Sequence, residues 1–191
     1  PELQRQVVAY SGNEQAGTII IDPAHTFLYL TLGSGKAMRY GIGVGREGFE
    51  WSGVERITRK AEWPDWTPPP AMVARQPYLP RWIGGGPGNP LGARAMYLGH
   101  TDYRIHGTND PNSIGKHMSS GCIRLRNEDV EDLYSRVGVG AKVIVLPVAH
   151  SRQIAAAQID ISVPVAPARH AVIPMMSQTA LSGTHTLGGV Y

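Results

Sequence analysis

The stretch "GTIIIDPAHTFLYLTLGSGKAMRYGIGVG", Gly17 to Gly45, decides the fold class. Its segments GTIIID (Gly17–Asp22) and TFLYLT (Thr26–Thr31) are dense in β-branched, aliphatic and aromatic residues, which suit a pleated, half-buried surface. Between them DPAH (Asp22–His25) is a tight-turn sequence, with Pro23 holding φ. Gly33-Ser34-Gly35 then reads as a hairpin turn, followed by a strand over Lys36–Val44. Strand, turn, strand, turn, strand is an antiparallel meander. A mostly-β domain is expected.

The flanks extend that reading. Upstream, QVVAY (Gln6–Tyr10) is one more strand, and downstream ARAMYLG (Ala93–Gly99) and YRIHG (Tyr103–Gly107) read as central strands. RNEDVEDLYSRV (Arg126–Val137) is the best helix: Asn127 can cap it, Glu128 and Asp129 suit its first turn, and Val130, Leu133, Tyr134 and Val137 share one face. Gly138 stops it, and AKVIVLPV (Ala141–Val148) returns to strand. QIDISVPV, further on, could add another.

The middle is different. From Arg46 to Asn89 the chain carries all four tryptophans, Trp51, Trp63, Trp66 and Trp82, with a triple proline and a triple glycine. Ser52–Trp63 fits a strand or a short helix equally; the rest reads as a long ordered loop held by aromatic anchors, or as the wall of a substrate groove.

Bulk numbers agree with a folded chain and exclude several classes. A length of 191 residues suits one domain with room for an appendage. Hydrophobic residues at 42% against 17% charged describe a packed core, and 23 Gly with 15 Pro favour turns over a helical bundle. The formal charge of +3 comes without a block of like charge, so nucleic acid is not indicated as a partner. No apolar run approaches the ~20 residues of a membrane span. The polar start PELQRQ, without Met, is compatible with a processed or trimmed start, in which the signal peptide of an exported precursor would be missing.

Cys122 is the sole cysteine, so no internal disulfide forms. Serines, a glycine and two arginines surround it in SSGCIRLRN, an unusual setting for a buried structural thiol. His100, His106, His117 and Cys122 are irregularly spaced for a structural zinc site, and GIGVG lacks the Walker ending. A nucleophile needs a base and oxyanion donors. His106 at a strand end and His117 in the following loop compete for the base; Asp102, Asp110 or a backbone carbonyl are candidates to orient it.

The segment HGTNDPNSIGKHMSSGCIRLRNEDVEDLY (His106–Tyr134) resembles the catalytic stretch of the L,D-transpeptidases, the YkuD-like or ErfK/YbiS/YcfS/YnhG-like cysteine enzymes. The resemblance extends over roughly Gln4 to Val148. It implies a β-sandwich of mixed and antiparallel sheets with one principal helix after the cysteine. By the same resemblance Cys122 is the nucleophile, His106 its base in preference to His117, and the Gly107 carbonyl orients the imidazole. Backbone N–H groups of Gly121 and Cys122 are implied as oxyanion donors. Arg124, Ser120, Thr108 and Trp82 are the expected substrate-binding set. Ser120 is a departure, since many relatives carry histidine before the glycine-cysteine pair.

The implied activity is attack on the L-diamino acid–D-Ala bond of a peptidoglycan tetrapeptide stem, release of D-Ala, and transfer to an amine. That amine belongs to a second stem, giving a 3→3 crosslink, or to an outer-membrane protein or lipoprotein. Carbapenems are expected to acylate the same thiol. No cofactor and no metal are implied. An L,D-carboxypeptidase and a non-enzymatic wall-binding module are the rival readings. Residues 1–150 are expected to form the catalytic domain, with a loop insert at about 46–90, and 151–191 a C-terminal extension or arm.

Overall fold

The computed structural model describes residues 2–148, so the expectations for QIDISVPV and for the 151–191 arm lie outside the described residues. The meander forms as expected. Strands β1 (Gln6–Ala9), β2 (Ile19–Asp22), β3 (Phe27–Gly33) and β4 (Lys36–Gly41) are followed by the short β5 (Val44–Gly45). β2 pairs antiparallel with β3, β3 with β4, and β4 with β1. Positive φ at both Ser34 (51°) and Gly35 (68°) twists the β3–β4 turn in the sense that matches paired strands. At the preceding corner the Asp22 carboxylate accepts from the His25 N–H at 3.3 Å and holds the His25 ring at 2.7 Å.

The segment left open between strand and helix is a strand. β6 (Gly53–Glu62), at ten residues, is the longest strand among the described residues. It lies inside the segment expected as a loop insert, which is irregular on both sides of it and includes the one-and-a-half-turn helix α1 (Pro70–Arg75). Only Gly53 and Ile57 of β6 are fully buried, so no apolar alternation marks it. Its long cationic side chains find cross-strand partners instead: the Arg59 guanidinium lies 3.6 Å from the Tyr97 ring centre.

Beyond the irregular loop come β7 (Arg94–Leu98), β8 (Arg104–His106), β9 (His117–Ser119) and β10 (Ile123–Arg124). The principal helix α2 (Asn127–Arg136) and β11 (Lys142–Val145) complete the order. Nine strands form one mixed hydrogen-bonded series, β1-β4-β3-β2-β11-β6-β7-β8-β10, while β5 pairs with β9. β11 runs parallel to β2, and β10 parallel to β8.

The series folds over on β6, where the register with β7 slips between Ile57 and Arg59. Both halves therefore face one core, in which Ile19, Ile21, Leu28 and Leu30 pack with Met96, Leu98, Ile105 and Ile123. Val130, Leu133 and Val137 of α2 close its remaining side. Past the end of β4, Gly43 and Arg124 exchange both backbone hydrogen bonds at 2.9 Å, so the early meander meets β10. No described helix is long and apolar enough to cross a membrane.

Candidate active site

The parallel register of β8 and β10 builds the site. Ile105 lies opposite Ile123, and His106 opposite Arg124. Ile105 and Ile123 point into the core. Strand alternation then sends Arg104, His106, Cys122 and Arg124 to the opposite face. Thus the thiol and the imidazole come from neighbouring strands and share one surface.

His106 is only 4% exposed. Its Nδ1 lies 2.6 Å from the Gly107 carbonyl oxygen, which can only accept. The proton is therefore on Nδ1, and Nε2 carries the free lone pair. Burial pulls the imidazole pKa down to about 3, against a smaller upward pull from the Gly107 carbonyl; the Arg124 and Arg104 charges lower it further, and the Leu91 carbonyl opposes them. Burial also pushes the Cys122 thiol above its ordinary value, while the Arg104 charge and N–H and then the Arg124 charge pull it back. The resting pair near neutral pH is a thiol and a neutral imidazole. Sγ is turned toward the Asp102 carbonyl at 3.9 Å, with no hydrogen bond to His106.

Gly121 occupies φ +104°, and a Cβ there would meet the Tyr103 ring at 2.5 Å, so the turn before the thiol requires glycine. The Gly121 N–H donates to Ser119 Oγ at 3.2 Å, and that hydroxyl donates to the Cys122 carbonyl at 2.6 Å. The oxyanion role expected of the Gly121 N–H thus meets a competing acceptor inside its own turn. Ser119 was not among the expected site residues, although a serine two places before a glycine is a recognisable side-chain turn.

The other expected residues divide. Arg124 and Ser120 are half-buried beside the thiol. Arg124 has no ion pair among the described residues, and the basic residue opposite the cysteine, Arg104, was missed. Thr108 is 3% exposed, and its hydroxyl accepts from the Asp110 N–H at 3.0 Å and donates to the Asp110 carbonyl at 3.3 Å. These bonds shape the loop that follows His106. Trp82 is 59% exposed with its ring over Gly84. Trp51 touches that turn instead: its Nε1 donates to the Gly121 carbonyl at 2.8 Å, and its ring stacks on Tyr103 at 4.5 Å and 3°. Indole identity alone could not separate the four tryptophans.

His117 is exposed on β9, opposite Val44. Asp110 caps the short turn at Pro111–Ser113, and the Asp102 carboxylate makes no bond to His106. Among the described residues no three His, Cys, Asp or Glu side chains converge as a metal site.

Asn127 stands one place away from its expected role. Arg126 is the N-cap residue, without a side-chain cap bond. Asn127 Oδ1 instead accepts from the Ala93 N–H at 3.0 Å and the Thr108 N–H at 3.2 Å. The first turn of α2 is thereby tied to the strand and loop on either side of His106.

A family model described as the L,D-transpeptidase catalytic domain (YkuD) matches residues 16–145. A provisionally named L,D-transpeptidase of Fuscovulum blasticum, from its ATP synthase subunits region (ORF 5), is 48% identical over 96 residues, covering 49% of each chain. A Brucella melitensis crystal structure, named as a probable carnitine operon oxidoreductase, is 47% identical with a TM-score of 0.52, covering 76% of this chain and 95% of that one. An L,D-transpeptidase from Mycobacterium smegmatis, 16% identical, shares the fold with a TM-score of 0.55 over 68% of this chain and 58% of its own. The matched region spans half or less of the first curated relatives, from 36% to 49% of their length.

Proposed function

The chain belongs to the L,D-transpeptidase catalytic-domain family, and from that membership we propose a peptidoglycan L,D-transpeptidase that uses Cys122 as nucleophile and His106 as base. The observation that carries the reading is the β8–β10 register, which puts both residues on one face with the imidazole held by the Gly107 carbonyl.

Attack begins when Sγ swings from the Asp102 carbonyl to His106 Nε2. The thiol proton passes to Nε2 as sulfur bonds to the carbonyl carbon between the L-diamino acid and D-Ala. The Cys122 N–H is the donor left for the oxyanion, since Ser119 holds that of Gly121. Collapse breaks the C–N bond, the imidazolium returns its proton to the departing D-Ala amine, and a thioester remains. An acceptor amine then attacks the thioester, gives a proton to Nε2, and expels the thiolate, which recovers it. A neutral resting pair suits this order, because the proton moves during attack and not before it.

The acceptor is a second stem, or the amine of an outer-membrane protein or lipoprotein, which implies a periplasmic or otherwise exported setting. Residues 1–150 are the proposed catalytic domain. The test is mass spectrometry of muropeptides after incubation with tetrapeptide stems, with and without an added amine. Crosslinked or amine-capped product with D-Ala release is expected from the native chain and none from Cys122→Ala. Replacing His106 by Gln should slow acylation by about 10²–10⁴-fold, and His117→Ala should leave it unchanged. Tripeptide as the only product would make it a carboxypeptidase; binding without D-Ala release would overturn the enzyme reading.

A further inference from the structure

The outer face of β6, β7, β8 and β10 carries a row of side chains that leads to the thiol. Arg59 is registered opposite Tyr97, and Tyr97 opposite Arg104. Continuing the register of β8 and β10 by one residue puts Arg104 beside Cys122. The Arg104 guanidinium donates to the Asp102 carbonyl at 3.2 Å through Nη2 and 3.4 Å through Nε. The same oxygen receives the Cys122 thiol at 3.9 Å, so a single carbonyl lies between the cation and the sulfur. Arg104 is half-buried, and its charge also lies 5.5 Å from the Tyr97 ring centre. Among the described residues it has no carboxylate within ion-pair distance. A half-buried guanidinium beside a nucleophile, satisfied only by a neutral carbonyl, has donors to spare for an anion.

We propose that Arg104 is the specificity residue that receives the terminal carboxylate of the departing amino acid. The proposal rests on the acyl-transfer reading above and adds to it the end of the substrate that is recognised. In a stem that ends one residue past the scissile bond, the carboxylate is separated from the scissile nitrogen by a single carbon. Sulfur in contact with the scissile carbonyl therefore brings that carboxylate to the immediate surroundings of Sγ, where Arg104 lies. A stem longer by one residue would present a neutral amide at the same place, so the guanidinium selects the length of the donor. Arg124, opposite His106, is one residue further along the face and lies on the base's side of the thiol.

The experiment compares the native chain with Arg104→Gln, Arg104→Lys and Arg124→Gln. Each is given a tetrapeptide stem with a free terminal carboxylate and the same stem as a terminal carboxamide. A parallel arm alkylates Cys122 with iodoacetate, an anion, and with iodoacetamide, its neutral counterpart. A charge-assisted hydrogen bond to the carboxylate predicts about 10- to 100-fold higher kcat/KM for the acid than for the amide in the native chain. Arg104→Gln should erase that ratio and Arg104→Lys restore part of it. The iodoacetate-to-iodoacetamide rate ratio should fall about 10-fold in Arg104→Gln. These ratios are taken within one variant, so a change in folding or in thiol acidity that affects both probes alike cancels. Equal slowing of acid and amide by Arg104→Gln would overturn the proposal, as would a preference kept in Arg104→Gln and lost in Arg124→Gln. If the native chain cleaves neither stem, the transpeptidase reading fails, and the alkylation ratio alone decides whether Arg104 receives an anion beside the thiol.

Discussion

His106 shows what a single buried side chain does to the whole chain's response to pH. Its imidazole takes a proton near the ordinary 6.5 when unfolded, but only near 3 when folded, because burial disfavours the charged ring. Between those values the unfolded state binds more protons. Stability from this residue is therefore complete above 6.5 and declines as pH falls toward 3. The slope is about 1.4 kcal/mol per pH unit, so about 2–3 kcal/mol is lost by pH 4.5. Urea denaturation at pH 7 and 4.5 should show a smaller acid loss in His106→Gln than in the native chain, by roughly that amount. Equal losses would mean that the ring is protonated in the fold without penalty. The residue types of the site were legible in HGT and SSGCIR. The burial of His106 was not, because Leu91, whose carbonyl acts on the ring, meets it only through the fold.

At the scale of elements, α2 positions the site as well as closing the core. Lys60 of β6 donates to the Tyr134 and Val137 carbonyls at 2.8 and 2.7 Å, satisfying the C-terminal end of α2 with a cation where the helix dipole favours one. At its other end Asn127 holds the Ala93 and Thr108 N–H groups. A Cβ on Gly107 would meet Asn127 Oδ1 at 2.3 Å, and one on Gly92 would meet it at 2.2 Å, so both glycines allow this close approach. Asn127→Ala should cost about 2–4 kcal/mol, from two donors left without their acceptor. Asn127→Asp, which keeps an acceptor, should cost less. Chemical denaturation measures the first effect, and hydrogen exchange at the Thr108 amide should quicken in the alanine variant only. Unchanged exchange there would show that the tether does not hold the loop. From sequence this asparagine looked like a helix cap, because capping is a local rule and its real partners are 34 and 19 residues away.

The whole molecule depends on a closure that lies outside the named strands. Gly43 and Arg124 join the early meander to β10, and a Cβ on Gly43 would meet the Ser113 carbonyl oxygen at 2.6 Å. Gly43→Ala should therefore destabilise the fold by about 1–3 kcal/mol. It should also slow acylation of Cys122 by a carbapenem, read by intact mass, because β10, which directly follows Cys122, shifts with the closure. Loss of stability with an unaltered acylation rate would separate closure from catalysis. The meander, β7, β8, β11 and the principal helix were determined by the sequence itself, and the proposal for Cys122 and His106 starts from a contiguous motif. Each is encoded in side-chain pattern, turn residues or a contiguous motif within a few residues of one another. Only the tertiary structure decided that β6 is a strand, that Trp51 meets the cysteine turn, and that Arg104 stands beside the thiol. These depend on pairing across strands far apart in the chain, where long cationic and aromatic side chains find partners that no local periodicity records.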